Sequence, residues 1–134
     1  MNLDKVINKT VERYEKILDN YYPSFGSTGF TERNLTFNFC SCFYNIAAEK
    51  DLVIWQEVPI ENSKFNKKEH FDSLIISRKA KKLYLVEAKR INSKNKIDSV
   101  ESDLKRIRNN WKNINIDEET KGYSKHAVII ADIW

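Results

Sequence analysis

With only two cysteines and two histidines in 134 residues, the chain is too poor in zinc ligands for a zinc finger or ribbon. Cys40 and Cys42 stand two apart in a segment of helical periodicity and point in different directions there. Neither a local disulfide nor paired metal ligation follows, and both read as buried thiols. No apolar run approaches the roughly 20 residues that a bilayer crossing requires. The opening MNLDKVINKT lacks the features of a signal peptide, so the expectation is a cytoplasmic protein with no membrane partner. Glycine and proline are also sparse, at three and two. Pro23, Gly26 and Gly29 fall together and mark one break in the chain.

What is present supports one globular domain over residues 1–134: 41% hydrophobic residues can build a core, and 31% charged residues argue against a membrane span. The net charge of +4 is compatible with a polyanionic partner without requiring one. Residues 3–21 read as a helix, with Leu3, Val6, Ile7, Tyr14, Ile17, Leu18 and Tyr21 on one stripe. A second helix starts with Thr31 as N-cap and runs to about residue 50, its stripe made of Leu35, Phe39, Cys42, Phe43, Ile46 and Ala47. Residues 52–60 form a strand closed by Pro59 and the polar segment 61–68. Residues 97–114 form a third helix, with Ile97, Val100, Leu104, Ile107, Trp111 and Ile114 inward and Lys105, Arg106, Arg108 and Lys112 outward. That outer face is either solvated or a surface for nucleic-acid backbone. The last strand, 126–134, is apolar enough for burial on both faces.

Residues 70–91 read as a hairpin around the charged break Arg78-Lys79-Ala80-Lys81-Lys82. With the loop at Lys79-Ala80, Asp72 lies opposite Glu87. Asp72, Leu74 and Ile76 then share a face with Leu83, Leu85, Glu87 and Lys89. Like charges about 5 Å apart destabilise a strand pair. At an effective dielectric near 20 the repulsion is about 3 kcal/mol. A hard divalent cation held by both carboxylates would offset it, as would Lys89 and Lys82 at a solvated sheet end. The second face of the hairpin (Phe71, Ser73, Ile75, Tyr84, Val86, Ala88) is also apolar, so helices should cover both sides. The closing strand, helix, strand unit implies a parallel pair, whereas the hairpin is antiparallel. The expected fold is a three-layer α/β/α sandwich with a mixed four-stranded sheet, in the order α-α-β-β-β-α-β.

From residue 29 to 134 this arrangement resembles the PD-(D/E)xK nuclease superfamily, the restriction-endonuclease-like fold that includes restriction enzymes and archaeal Holliday-junction resolvases. Glu32 in GFTERNLTFNF matches the family's helical glutamate, Asp72 its second-strand aspartate, and Glu87-Ala88-Lys89 its acid-x-lysine triplet. Phe71 stands where the family usually has proline. The same triplet spacing occurs at Asp103/Lys105 and Glu119/Lys121, but only Glu87/Lys89 lies in a β-type run. The resemblance implies a metal-dependent endonuclease acting on nucleic acid, DNA in the first place. Asp72, Glu87 and the Ala88 carbonyl would hold Mg²⁺ or Mn²⁺. Glu32 would complete the coordination through water, and Lys89 would orient the nucleophile or neutralise the phosphate.

Candidate contacts to nucleic acid are His70, Lys64, Lys67, Lys68, Arg90, Lys94, Lys96, Lys105 and Arg108. His70 has a plainer reading as a hydrogen-bonded strand-end histidine, and Glu57 ranks below the other acids as a metal-site carboxylate. The competing reading is a catalytically silent module of the same fold that binds nucleic acid or a protein partner, such as a phage-defence or phage-encoded factor. The last strand is a candidate homodimer edge.

Overall fold

The structure, a computed structural model, describes residues 1–20, 31–59, 70–111 and 118–133. Seven elements follow in the expected order: α1 (Leu3–Asn20), α2 (Glu32–Ala47), β1 (Val53–Pro59), β2 (His70–Ser77), β3 (Lys82–Ile91), α3 (Lys94–Asn110) and β4 (Ser124–Ile133). They form one mixed sheet in the order β1-β2-β3-β4. β1/β2 and β2/β3 are antiparallel, and β3/β4 is parallel. Among the described residues no helix is long and apolar enough to cross a membrane.

Strand alternation divides the core between the two faces of the sheet, giving three layers. Ile75, Tyr84 and Val86 meet Val6 of α1 and Phe39, Cys40, Cys42 and Phe43 of α2. Leu74, Ile76, Leu83 and Leu85 meet Ile107 of α3 on the opposite face. Both thiols are free and buried, as expected. The α2 stripe follows its periodicity closely, and Phe43 contacts the Tyr84 ring edge-on with centroids 5.0 Å apart. In α1 the register is slightly different from expectation. Ile7 and Leu18 are exposed, and Thr10 is buried instead, its hydroxyl donating to the Val6 carbonyl at 2.8 Å.

The hairpin has the predicted register, from Ser77↔Lys82 to Ser73↔Val86. Its turn is fastened to the end of α2 by Glu49, which accepts from the Ser77 hydroxyl and the Lys79 N–H, each at 2.7 Å. At its other end the sheet twists. Glu57 has a left-handed φ of 55° and lies between the pairs Gln56↔Ser73 and Val58↔Phe71. Beyond it Val58 and Phe71 join the α3-side cluster, although alternation from Ile54 and Ile75 would place them on the α2 side.

Two expectations are corrected. β4 is an edge strand whose side chains are half-buried or exposed, because β3 alone pairs with it among the described residues. Helix α3 is rotated relative to the predicted stripe: Ile97 and Leu104 are 56% and 46% exposed, whereas Ile107 is 2% exposed. Asp103 and Arg106 turn toward the sheet in their place. Ile107→Ala is therefore expected to lower the unfolding free energy by about 2–4 kcal/mol. Leu104→Ala should change it by only about 0.5 kcal/mol. Urea denaturation of both variants checks this, and the reverse ranking would contradict the orientation of α3.

Candidate active site

The site begins where two strands part. β3 remains paired with β4 as far as Ile91↔Ile133, but its ladder with β2 ends at Ser73↔Val86. Alternate residues of a strand direct their N–H groups to the same edge, so those of Ala88 and Arg90 lose their β2 acceptors. Two carboxylates replace them. Asp72 accepts from the Ala88 N–H at 2.8 Å, and Glu32 accepts from the Arg90 N–H at 3.1 Å. Glu32 can reach because α2 begins with it, and a carboxylate in a helix's first turn is favoured by the macrodipole. Asp72 thus lies one step beyond the last paired residues and is not a cross-strand partner of Glu87 in the ladder. It bonds into the fork.

Glu87 and Lys89 stand on the α3 side. Arg106 donates to Glu87 in an ion pair, and its guanidinium also lies 3.5 Å from Asp103. Lys89 Nζ is 2.9 Å from the Asp103 carboxylate. The Arg106 guanidinium rests over the Phe71 ring, 5.8 Å from its centroid. Burial and the neighbouring charge of Asp72 push the Glu87 carboxyl up to about 8, against the relief that Arg106 supplies. Burial alone would lower Lys89. The hydrogen bond and charge of Asp103, with Glu32 and Glu87 behind them, outweigh it and raise Lys89 above the ordinary lysine range.

The fork thus brings Glu32, Asp72, Glu87 and Lys89 into electrostatic contact. Ala88 belongs to the same edge, and its carbonyl faces the way its N–H does. His70 takes the plainer of its two readings, with Nε2 2.6 Å from Glu57. Arg33 approaches Glu57 from the other side at 3.8 Å. Glu57 is therefore engaged by His70 and Arg33 instead of joining the other acids, and it lines a cleft of about 190 Å³ with Arg33, Thr36, Gln56 and Asp72.

Lys94, Lys96, Lys105 and Arg108 are exposed along α3, Lys105 in an ion pair with Glu101 at 2.9 Å. The Arg90 side chain is half-buried and its charge acts on the buried Tyr14 beside Asp132. Lys64, Lys67 and Lys68 lie outside the described residues. A larger cavity of about 500 Å³ sits at the turn end, among Met1, Phe43, Glu49, Ser77 and Lys79, and holds none of the candidate residues.

The donor set at the fork, carboxylate and carbonyl oxygens with no thiolate, suits a hard divalent cation. Among the described residues, however, no three or more His, Cys, Asp or Glu are gathered into a group that could hold one. Each acid is engaged elsewhere: Asp72 and Glu32 with the backbone, Glu87 with Arg106. Sequence periodicity missed Arg106 and Asp103, because Val100, Ile107 and Trp111 suit either rotation of α3. The signal was chemical: a buried acid and lysine on β3 need countercharges from the helix that covers them.

No family model, curated protein or solved structure matches the chain.

The raised Glu87 has a measurable consequence. Its folded pKa of about 8 lies above the ordinary carboxyl value of 4.5, so folding takes up a proton between these values. Its contribution to stability is present below pH 4.5 and is lost as pH rises through 8. Glu87→Gln mimics the protonated form and keeps an acceptor for Arg106. In EDTA, thermal melting is expected to show the variant more stable than wild type at pH 8–9, with the advantage disappearing below pH 5. A variant less stable at every pH would contradict the electrostatic cost assigned to Glu87.

Proposed function

We propose that this chain is a divalent-metal-dependent nuclease that hydrolyses phosphodiester bonds, with DNA as the first substrate to test. The observation that carries the reading is the charge of Asp72 acting on a buried Glu87 at the fork, with Lys89 beside them. Burial and Asp72 make ionisation of Glu87 unfavourable. Carboxylates gathered near one lysine suit metal-assisted phosphoryl chemistry, and the raised Glu87 and Lys89 support a functional role for this cluster.

Asp72, Glu87 and the Ala88 carbonyl would hold Mg²⁺ or Mn²⁺, which when bound supplies a water of lowered pKa and neutralises charge on the phosphate. The chain's own groups do the rest. Lys89, raised above the usual lysine range, stays an ammonium at neutral pH. It therefore serves as a donor to the phosphate oxygens or the attacking water, not as a base. Glu32 ties the start of α2 to the end of β3 and so keeps a further acid beside Lys89. Lys94 and Lys96, exposed at the start of α3, would meet flanking phosphates without base specificity.

A second reading is favoured by a specific observation: Glu87 is paired with Arg106 and Lys89 with Asp103. Such a network neutralises the fork internally and would suit a catalytically silent module that binds nucleic acid or a protein partner.

The two readings separate in one experiment. Supercoiled DNA, linear DNA and RNA are incubated with the protein in Mg²⁺, Mn²⁺ or EDTA. For the nuclease, cleavage stops in EDTA and falls about 100-fold or more in both Asp72→Asn and Lys89→Ala. Cleavage that both variants retain would overturn the assignment. Salt-sensitive binding without cleavage, surviving EDTA and both substitutions, would establish the silent module.

A further inference from the structure

We propose that Arg106 is a latch on the fork: its guanidinium holds the Glu87 carboxylate, and it must leave before a divalent cation can take that carboxylate. This rests on the metal-dependent reading above and adds how occupancy of the site is controlled.

Three observations carry it. First, the Glu87 side chain is only 3% exposed, and Arg106 is its ion-pair partner. In the ionised form that a metal needs, a buried Glu87 without a countercharge is strongly unfavourable, so Arg106 is the resting partner of the ionised group. Second, a guanidinium and a dication cannot both crowd one carboxylate without mutual repulsion in a poorly hydrated place. Third, Arg106 has somewhere to go. Its side chain is 26% exposed, and Asp103, one helical turn earlier, already lies 3.5 Å from it. In the paired position the guanidinium also lies over the buried Phe71 ring. Arg106 can therefore exchange Glu87 for Asp103 without being stranded.

The released guanidinium is also suited to a phosphate, which it can bind bidentately as it does a carboxylate. A nucleic-acid phosphate that draws Arg106 away from Glu87 would favour the cation, and the cation would favour the phosphate by the same factor. Arg106 thus links substrate binding to loading of the site.

The test compares wild type with Arg106→Gln, measuring Mn²⁺ affinity by calorimetry and by the electron paramagnetic resonance signal of free Mn²⁺, together with thermal melting. Without metal the variant should melt lower than wild type, since Glu87 has lost its partner. Its Kd for Mn²⁺ should be lower by about tenfold. Saturating Mn²⁺ should raise its melting temperature by more than it raises that of wild type. Equal or weaker affinity in the variant, with wild type binding Mn²⁺, overturns the latch and leaves the metal reading standing. Failure of both proteins to bind Mn²⁺ overturns both.

A measurement on wild type alone guards against a variant that does not fold. In ¹⁵N-labelled protein the Arg106 guanidinium resonances should shift as Mg²⁺ is added. Resonances unmoved at saturating Mg²⁺ would overturn the latch.

Discussion

The parting of β2 from β3 after Ser73↔Val86 is the constraint on which the site depends. An N–H group buried without an acceptor costs about 1–3 kcal/mol, and the fork takes β2 away from two of them. The chain supplies carboxylates at 72 and 32 to receive the Ala88 and Arg90 N–H groups. This ties the site to the core, because Glu32 reaches β3 only if α2 docks correctly. The docking is set by Phe39 and Phe43 against Ile75, Tyr84 and Val86. Apolar packing on the α2 face thus places a charged group at the far end of the same helix.

Charge balance is the second constraint. Asp72 and Asp103 act on Glu87 and Glu32 acts on Lys89, and among the described residues the cations these effects involve are Lys89 and Arg106. Fully ionised, four acids against two bases leave two negative charges in a half-buried place. Such an excess is relieved by a proton or by an external cation. The raised carboxyl of Glu87 is the proton solution, and a dication at the fork would be the other. Lys89 belongs to the same balance from the opposite side: Asp103, which helps to make Glu87 hard to ionise, also helps to keep Lys89 charged.

Much of this was legible in the residues. Two apolar runs on either side of a charged turn specify the hairpin register, since a one-residue slip would bury the wrong face of both strands. That register places Asp72 and Glu87 near each other. The α2 stripe and the element order follow from periodicity in the same way. What periodicity could not settle is the rotation of α3, where Asp103 competes with Leu104 for the inward position. A polar position loses that contest in any argument from hydrophobicity, and wins it here because Lys89 and Glu87 need partners. The left-handed Glu57 was equally hidden: nothing in an acidic residue within a strand announces a twist that moves Val58 and Phe71 to the other face. β4 was misjudged for a simpler reason, as an apolar run suits an edge strand of a parallel pair as well as a central one.

The structural and chemical roles of the acids are not rivals. A carboxylate has two oxygens and about four acceptor sites. The bond from Ala88 uses one oxygen of Asp72, and that from Arg90 one of Glu32. These bonds hold the groups where they are before any ligand arrives, which is what preorganisation requires. Without them, repulsion from an ionised Glu87 would act on Asp72 unopposed by the bond from Ala88. The backbone need of the fork therefore explains why an electrostatically costly cluster survives folding.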